Sequence, residues 1–554
     1  MAFLYFRTVT VTVTVTGTDR TGGLLAKVFD LGTLAFLAAI LGRILSDPTR
    51  INHDSASLLM GAVMVHEGRM PIAALFAAMN PPVVSYANVL VVETAAAIGT
   101  NVIFVYLLAT WAAVAVSTLA VRSLLAKGGL LPAGAAAFAA CVWAWTSFAL
   151  FEQSDANFGQ REHLLVLLLA PFLLAIWLCF EDVSLSPAAS IAFGVVAGLA
   201  TCAKPHYALA PALTVAVLLL SHRRIRPLLS PGVAAYILTG AVFVGHLFLL
   251  PSEFSGAFLR VITSTARGYD VYNQPWPVLF REVSVRFALF VGTVALALAA
   301  FRRGPGFRLI GGVGASALAA AGIYLFQRKG WSYHAVPAFG LGALTAALVV
   351  ASPLAFWRFV ARPFDPASPG VETLRRAVLR VCQAAALVAV ALALTSAAPL
   401  VRNGIGAAPA SQFERTFAEL SRPKEEVLFV TTSVWPIYPA LLRLDRRPFH
   451  RYWGPMMNIA FYQAGLAAGP EGFPYRSWPE MSAEERTFLE ELGREIRTGR
   501  PSLIVVAAGP AHQGCPEGFV LEEYLRRAPP VAEALAGYAP VARLWKHLYL
   551  KPRE

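Results

Sequence analysis

The chain has 554 residues, of which 57% are hydrophobic and only 14% charged, and its mean hydropathy is strongly positive. A soluble globular protein is apolar in just under half of its residues, so this composition excludes one and points to an integral membrane protein. The formal charge of +13 needs no nucleic acid, because arginine-rich connections between spans already account for it.

The apolar stretches run about 17 to 24 residues, the length of helices crossing a bilayer rather than of barrel strands of about ten. Cys141, Cys179, Cys202, Cys382 and Cys515 are scattered, with no metal or disulfide spacing. Residues 1–22 form a lead with a Thr-Val alternation ending at Gly17, to which no function is assigned. A transmembrane domain is expected over residues 23–402. Its eleven spans fall near 23–45, 102–124, 131–151, 162–180, 187–202, 206–221, 232–251, 285–301, 308–326, 335–352 and 377–400. The fifth and sixth are short and also fit a broken helix pair.

The first connection, residues 46–101, is far longer than a turn, and long connections are usually functional. It holds Asn52, His53 and Asp54, an amphipathic run and a Met-Asn-Pro-Pro corner. On local grounds it reads equally as a surface loop with a helix cap at Asp54 or Ser55.

Connections on one side are plain basic turns: Arg122 with Lys127, Arg223 with Arg224 and Arg226, and Arg302 with Arg303 and Arg308. Arg358, Arg362, Arg375, Arg376 and Arg380 join them, which makes that side cytoplasmic. The N-terminus is then cytoplasmic, and the first connection and the tail lie outside. The outer connections carry a different load: Asn52 to Pro82, Phe151 to His163, Cys202 to Tyr207, Arg260 to Trp276 and Gln327 to His334. Charges at helix ends facing a bilayer are costly unless they meet a partner or a wet cavity, so this concentration describes a site.

Residues 403–554 read as a small outer α/β domain, with strands at Glu426 to Thr432 and Ser502 to Ala508. A helix between them opens with a Ser482-x-x-Glu485 capping box. Trp435, Tyr438, Arg451, Tyr452 and Trp453 are placed on its membrane-facing side or in its core.

On an outer face without ATP, a reaction needs a substrate already activated and reachable within the membrane. Polyprenyl-phosphate sugars meet both conditions. Their leaving phosphate gains negative charge and calls for fixed cations, here Arg161, Lys204, Arg260, Arg267, Arg328 and Lys329. Anchoring to lipid headgroups is the alternative role for such residues. The acceptor hydroxyl needs a base, for which Asp54 is the first candidate and Glu162 and Asp155 the next. Two carboxylates with His53 or His163 allow a divalent cation such as Mg or Mn, with Asp54 among its ligands.

The order His53-Asp54-Ser55, Gly68 and Asn80-Pro81-Pro82 resembles the GT-C superfamily of membrane glycosyltransferases. It is similar to family 39, which includes protein O-mannosyltransferases and transferases of aminoarabinose or galacturonate to lipid A. FGQREHLL, KPHYALAP and KGWSYHAVP look like a bacterial family 39-like subgroup, and the resemblance covers roughly residues 30 to 400. It implies a GT-C fold and inverting transfer at the periplasmic face of a bacterial inner membrane. The donor is a polyprenyl-phosphate sugar, and the acceptor a glycan, lipid or protein. The first-loop acidic residue maps onto Asp54 and a second acidic position onto Glu162. Many members carry Asp-Glu where this chain has Asp54-Ser55. His53, Asn80, His163, His206, Tyr269, Asp270, Trp331, Tyr333 and His334 are then expected to shape the sugar or acceptor site. The readings from other classes are a transporter or flippase of lipid-linked saccharide, and a non-catalytic assembly protein.

Overall fold

The computed structural model describes residues 20–70, 81–129, 131–152, 157–250, 252, 256, 272–301, 304–360, 411–431, 434–449, 472–508, 518–544 and 546–553. The membrane part consists of α1 (Arg20–Ser46), α2 (His53–His66), α3 (Pro82–Ile98), α4 (Val102–Ala126), α5 (Ala133–Glu152) and α6 (Arg161–Phe180). It continues through α7 (Pro187–Ala203), α8 (Leu209–His222), α9 (Pro231–Leu249), α10 (Val283–Phe301), α11 (Pro305–Gln327) and α12 (Val336–Val360). Among the described residues, eight helices are long and apolar enough to cross a membrane, and the protein is a multi-pass membrane protein with a small C-terminal sheet. Ten of the expected spans coincide with helices; the eleventh, at 377–400, lies outside the described residues.

Local chemistry sets several helix starts. Asn101 caps α4 through Ile103 N at 2.8 Å, and Ser186-Pro187 and Ser230-Pro231 each put a hydroxyl at the cap and proline in the first turn. The fifth and sixth spans are a broken pair: α7 ends at Ala203, Lys204 is extended, and a tight turn over Pro205–Ala208 leads into α8. α6, α11 and α12 form the buried centre of the bundle, whereas α9 is mostly exposed.

The first connection holds more than α2 and a proline corner: it also contains α3, an apolar helix of 17 residues packed on α2 and α4. α2 itself is not one-sided. Every residue from Leu58 to Met64 is buried, because the bundle and α3 cover part of the helix and the C-terminal domain covers the rest. The basic turns at the far end of the bundle are not plain either. Arg308 forks onto Glu181 at 2.8 and 2.6 Å, Arg224 meets Asp182 at 2.6 Å, and Arg122 meets Asp30 at 2.8 Å.

The C-terminal domain has α13 (Gln412–Leu420), β1 (Glu426–Val430), α14 (Ile437–Arg443), β2 (Arg447–Pro448), α15 (Ala483–Gly499), β3 (Leu503–Ala507), α16 (Leu521–Arg526), α17 (Pro529–Ala536), β4 (Tyr538–Leu544) and β5 (His547–Pro552). The strand order is β2-β1-β3-β5-β4, with β2, β1 and β3 parallel and β5 and β4 antiparallel to their neighbours. β3 is buried along its whole length, as a central strand covered on both faces must be. Ser482 does cap α15 through Glu485 N at 3.1 Å, but the reciprocal half of the expected box is missing. The Glu485 side chain is fully buried and accepts from Tyr524 and Arg476 instead.

The domain docks on the first connection. α14 packs on α2, and one apolar core runs from the bundle through Leu59 and Met60 into Ile437, Ala440 and Leu441. At the end of α2, the Arg447 fork donates to Glu67 at 2.7 and 2.5 Å, and Arg69 reaches Glu426 at 2.6 Å. The hydrogen bonds from Arg447 hold the Glu67 carboxyl below its ordinary range, with Arg69 and Lys424 adding positive charge. Asp445 and Glu426 are the carboxylates facing the same arginines. A lowered folded pKa means this contact stabilises fully above the ordinary carboxylate range and is lost as pH falls through the folded value. The melting midpoint of detergent-solubilised wild type should therefore exceed that of Glu67→Gln at neutral pH, and the gap should close in acid. A gap that stays constant down to the folded value refutes the assignment.

Candidate functional site

The site begins with a helix cap. Asn52, not Asp54 or Ser55, caps α2: its Oδ1 accepts from Asp54 N at 2.7 Å and Ser55 N at 3.3 Å. The Asp54 carboxylate is thereby released from capping and stands in the first turn, where the helix dipole favours negative charge. His53 Nε2 lies 3.5 Å from Asp54 Oδ1, and both side chains are only partly buried.

Gln160 joins this turn to the bundle. It is fully buried, and its Nε2 donates to Asn52 Oδ1 at 2.6 Å and to Asp54 Oδ2 at 3.3 Å. Its position depends on Gly159, which has φ +80 and packs against Tyr106; a Cβ there would come within 2.7 Å of the Tyr106 ring. The Tyr106 hydroxyl donates to the Gly159 carbonyl, and Gly159 N donates to His163 Nδ1 at 3.2 Å.

The next residues in sequence open α6. The Glu162 side chain is fully buried and pairs with Lys204 Nζ at 2.8 Å, with His334 Nε2 at 3.6 Å. Arg161 adds its charge to Glu162, while Asp54 and Glu162 both act electrostatically on Lys204. Tyr207 OH fixes the turn that carries His334 by donating to its carbonyl at 3.2 Å. Trp331 and Tyr333 stack 5.6 Å apart, and both pack on His334.

Four connections thus meet at one end of the bundle: those carrying Asp54, Gln160, Lys204 and His334. The Glu181 and Arg308 end of the same helices is opposite, about 30 Å away by helix rise. Other expected residues sit differently. His163 is buried against Phe158 and fastens the Gly159 turn. His206 accepts from Gln327 Nε2 at 2.6 Å, and Lys329 donates to Asn273 Oδ1 at 2.8 Å. Arg328 lies over the Trp276 ring. Asp155, Asn80, Arg260, Arg267, Tyr269 and Asp270 lie outside the described residues, as do Arg451, Tyr452 and Trp453. Tyr438 is a core residue, whereas Trp435 is exposed with its ring 6.3 Å from that of His53.

Among the described residues, Asn52 Nδ2, Gln160 Oε1, Glu162 Oε2, His163 Nε2 and His334 Nδ1 are buried without a hydrogen-bond partner. Buried polar atoms normally have partners, and these five exceptions gather at one end of the bundle, while others such as Thr118 Oγ1, Trp145 Nε1 and Tyr549 OH lie elsewhere. Such a cluster leaves donors and acceptors open to a polar ligand. No three His, Cys, Asp or Glu side chains among the described residues assemble a metal-ligand set. Asn52 and Gln160 are the members that sequence reasoning undervalued. The one available signal was position, since Asn52 and Gln160 each immediately precede a helix.

No family model matches the chain, and neither does any curated protein. The resemblance to the GT-C superfamily rests on the motifs alone.

Two substitutions probe this geometry. Gly159→Ala forces an L residue into left-handed backbone, at a cost of about 1–2 kcal/mol before its clash with Tyr106; thermal unfolding should show the loss. Lys204→Met leaves a buried carboxylate unpaired and should cost about 3–5 kcal/mol, most of it recovered in the Glu162→Gln/Lys204→Met double variant. Equal melting of the single and double variants would mean that Glu162 is satisfied from elsewhere.

Proposed function

We propose that the protein is a glycosyltransferase of GT-C type in a bacterial inner membrane. It moves a sugar from a polyprenyl-phosphate donor to a glycan, lipid or protein acceptor at the periplasmic face. The observation that carries this reading is the closeness of Asp54, which accepts from Gln160 just before α6, to the buried Glu162–Lys204 pair at the same end of the bundle. In the reaction, the acceptor oxygen attacks the anomeric carbon as the bond from that carbon to the phosphate oxygen breaks. The bonding pair leaves with the polyprenyl phosphate, and the acceptor proton passes to Asp54. Attack opposite the leaving group inverts the anomeric centre. Lys204 and Arg161 present fixed positive charge to the leaving phosphate, which needs no reorganisation as that charge develops. Asp54 is the more accessible carboxylate and takes the base role; Glu162, fully buried, holds Lys204 in place.

Transport of a lipid-linked saccharide is the second reading. The buried group of Glu162, Lys204 and His334 favours it, because ionisable residues inside a membrane often line a translocation path. The position at one end of the bundle favours the enzyme, since alternating access uses a site near the midplane. Transfer from a radiolabelled panel of polyprenyl-phosphate sugars to membrane lipid and glycan separates the two. Wild type should transfer, and Asp54→Asn should lose at least about a hundredfold, the scale of a missing general base. Uptake of the labelled lipid across vesicles without any transfer would support the transporter.

A further inference from the structure

α2 is gripped at both ends by one short segment of the C-terminal domain. Just before α2, the Thr49 carbonyl accepts from Arg443 Nε at 2.9 Å, and Arg443 is itself held by Glu414 at 2.7 Å. Just after α2, Glu67 takes the two-pronged fork of Arg447. Arg443 ends α14, which lies along α2 with Ile437 through Leu442 all buried, and Arg447 opens β2. The β1–β2 pairing sets Glu426 directly beside Arg447. These register neighbours present one negative and one positive charge to Arg69 and Glu67, which carry the complementary pair.

From this we infer that Arg443 and Arg447 are positioning residues for Asp54, so that the C-terminal domain is a working part of the site. The inference rests on the role given to Asp54 above. A forked arginine–carboxylate contact fixes direction as well as distance. α2 is a rod of about 20 Å, so a tilt at Glu67 is delivered to the turn that carries Asp54. Lys204 and Arg161 belong to the bundle and stay in place, so loosening α2 should cost turnover and spare donor binding. Asp445 Oδ1, 2.7 Å from Arg447, keeps that arginine paired when Glu67 is changed, which separates loss of the grip from loss of the domain.

The experiment uses the full chain in lipid nanodiscs, comparing wild type with Glu67→Gln, Arg447→Met and Arg447→Lys. Amide hydrogen exchange should speed up at least about tenfold across residues 53–66 in Glu67→Gln and Arg447→Met, while β3 keeps its protection. With the polyprenyl-phosphate sugar donor, kcat should fall at least about tenfold with donor KM unmoved. Arg447→Lys, which keeps the charge but not the fork, should fall between. Unchanged exchange over α2, or unchanged kcat in both charge-removing variants of an active enzyme, overturns the inference. If wild type shows no transfer, the glycosyltransferase reading fails, and faster exchange over α2 still establishes the grip by itself.

Discussion

A carboxylate enclosed by an apolar helix bundle is unaffordable without a partner, and Glu162 is fully enclosed. Its pairing with Lys204 therefore constrains that whole end of the bundle. Lys204 stands where α7 breaks before α8, so the break must be brought to the first turn of α6. His334 must follow from the turn before α12, and Tyr207 ties that turn down. Three connections that are far apart in sequence are drawn together around one buried charge.

The second constraint is a cap. By taking the backbone N–H groups of α2, Asn52 relieves the neighbouring carboxylate of the capping role. The same Oδ1 accepts from Gln160, so the helix start is fastened to α6 in the act of being capped. Asp54 is thus linked through Gln160 to the helix start that carries Glu162, with Gly159 supplying the backbone conformation that turn requires. The Asp54 carboxylate is partly exposed, whereas that of Glu162 is sealed.

The first connection is more than an outer loop. α2 is buried between the bundle, α3 and the C-terminal domain, and the apolar core is continuous through it. This explains why its run from Leu58 to Met64 shows no polar face.

Much of this was legible in the chain. Helices at ten of the expected spans, the gathering of polar connections at one end, β1, β3 and α15 follow from apolar length, alternation and caps, all of which act within a few residues. Asp54, Glu162, Lys204 and His334 could be singled out because charge at a membrane helix end is costly wherever it occurs. What the chain could not declare was pairing. That Asn52 rather than Asp54 caps α2, that Glu485 turns inward to Tyr524 instead of completing a box, and that Glu67 meets Arg447 were all decided by tertiary structure. Such contacts join residues up to 380 positions apart, and each exists only because packing elsewhere has already placed both partners. Periodicity and capping are properties of a segment; ion pairing and burial of a site are properties of the fold.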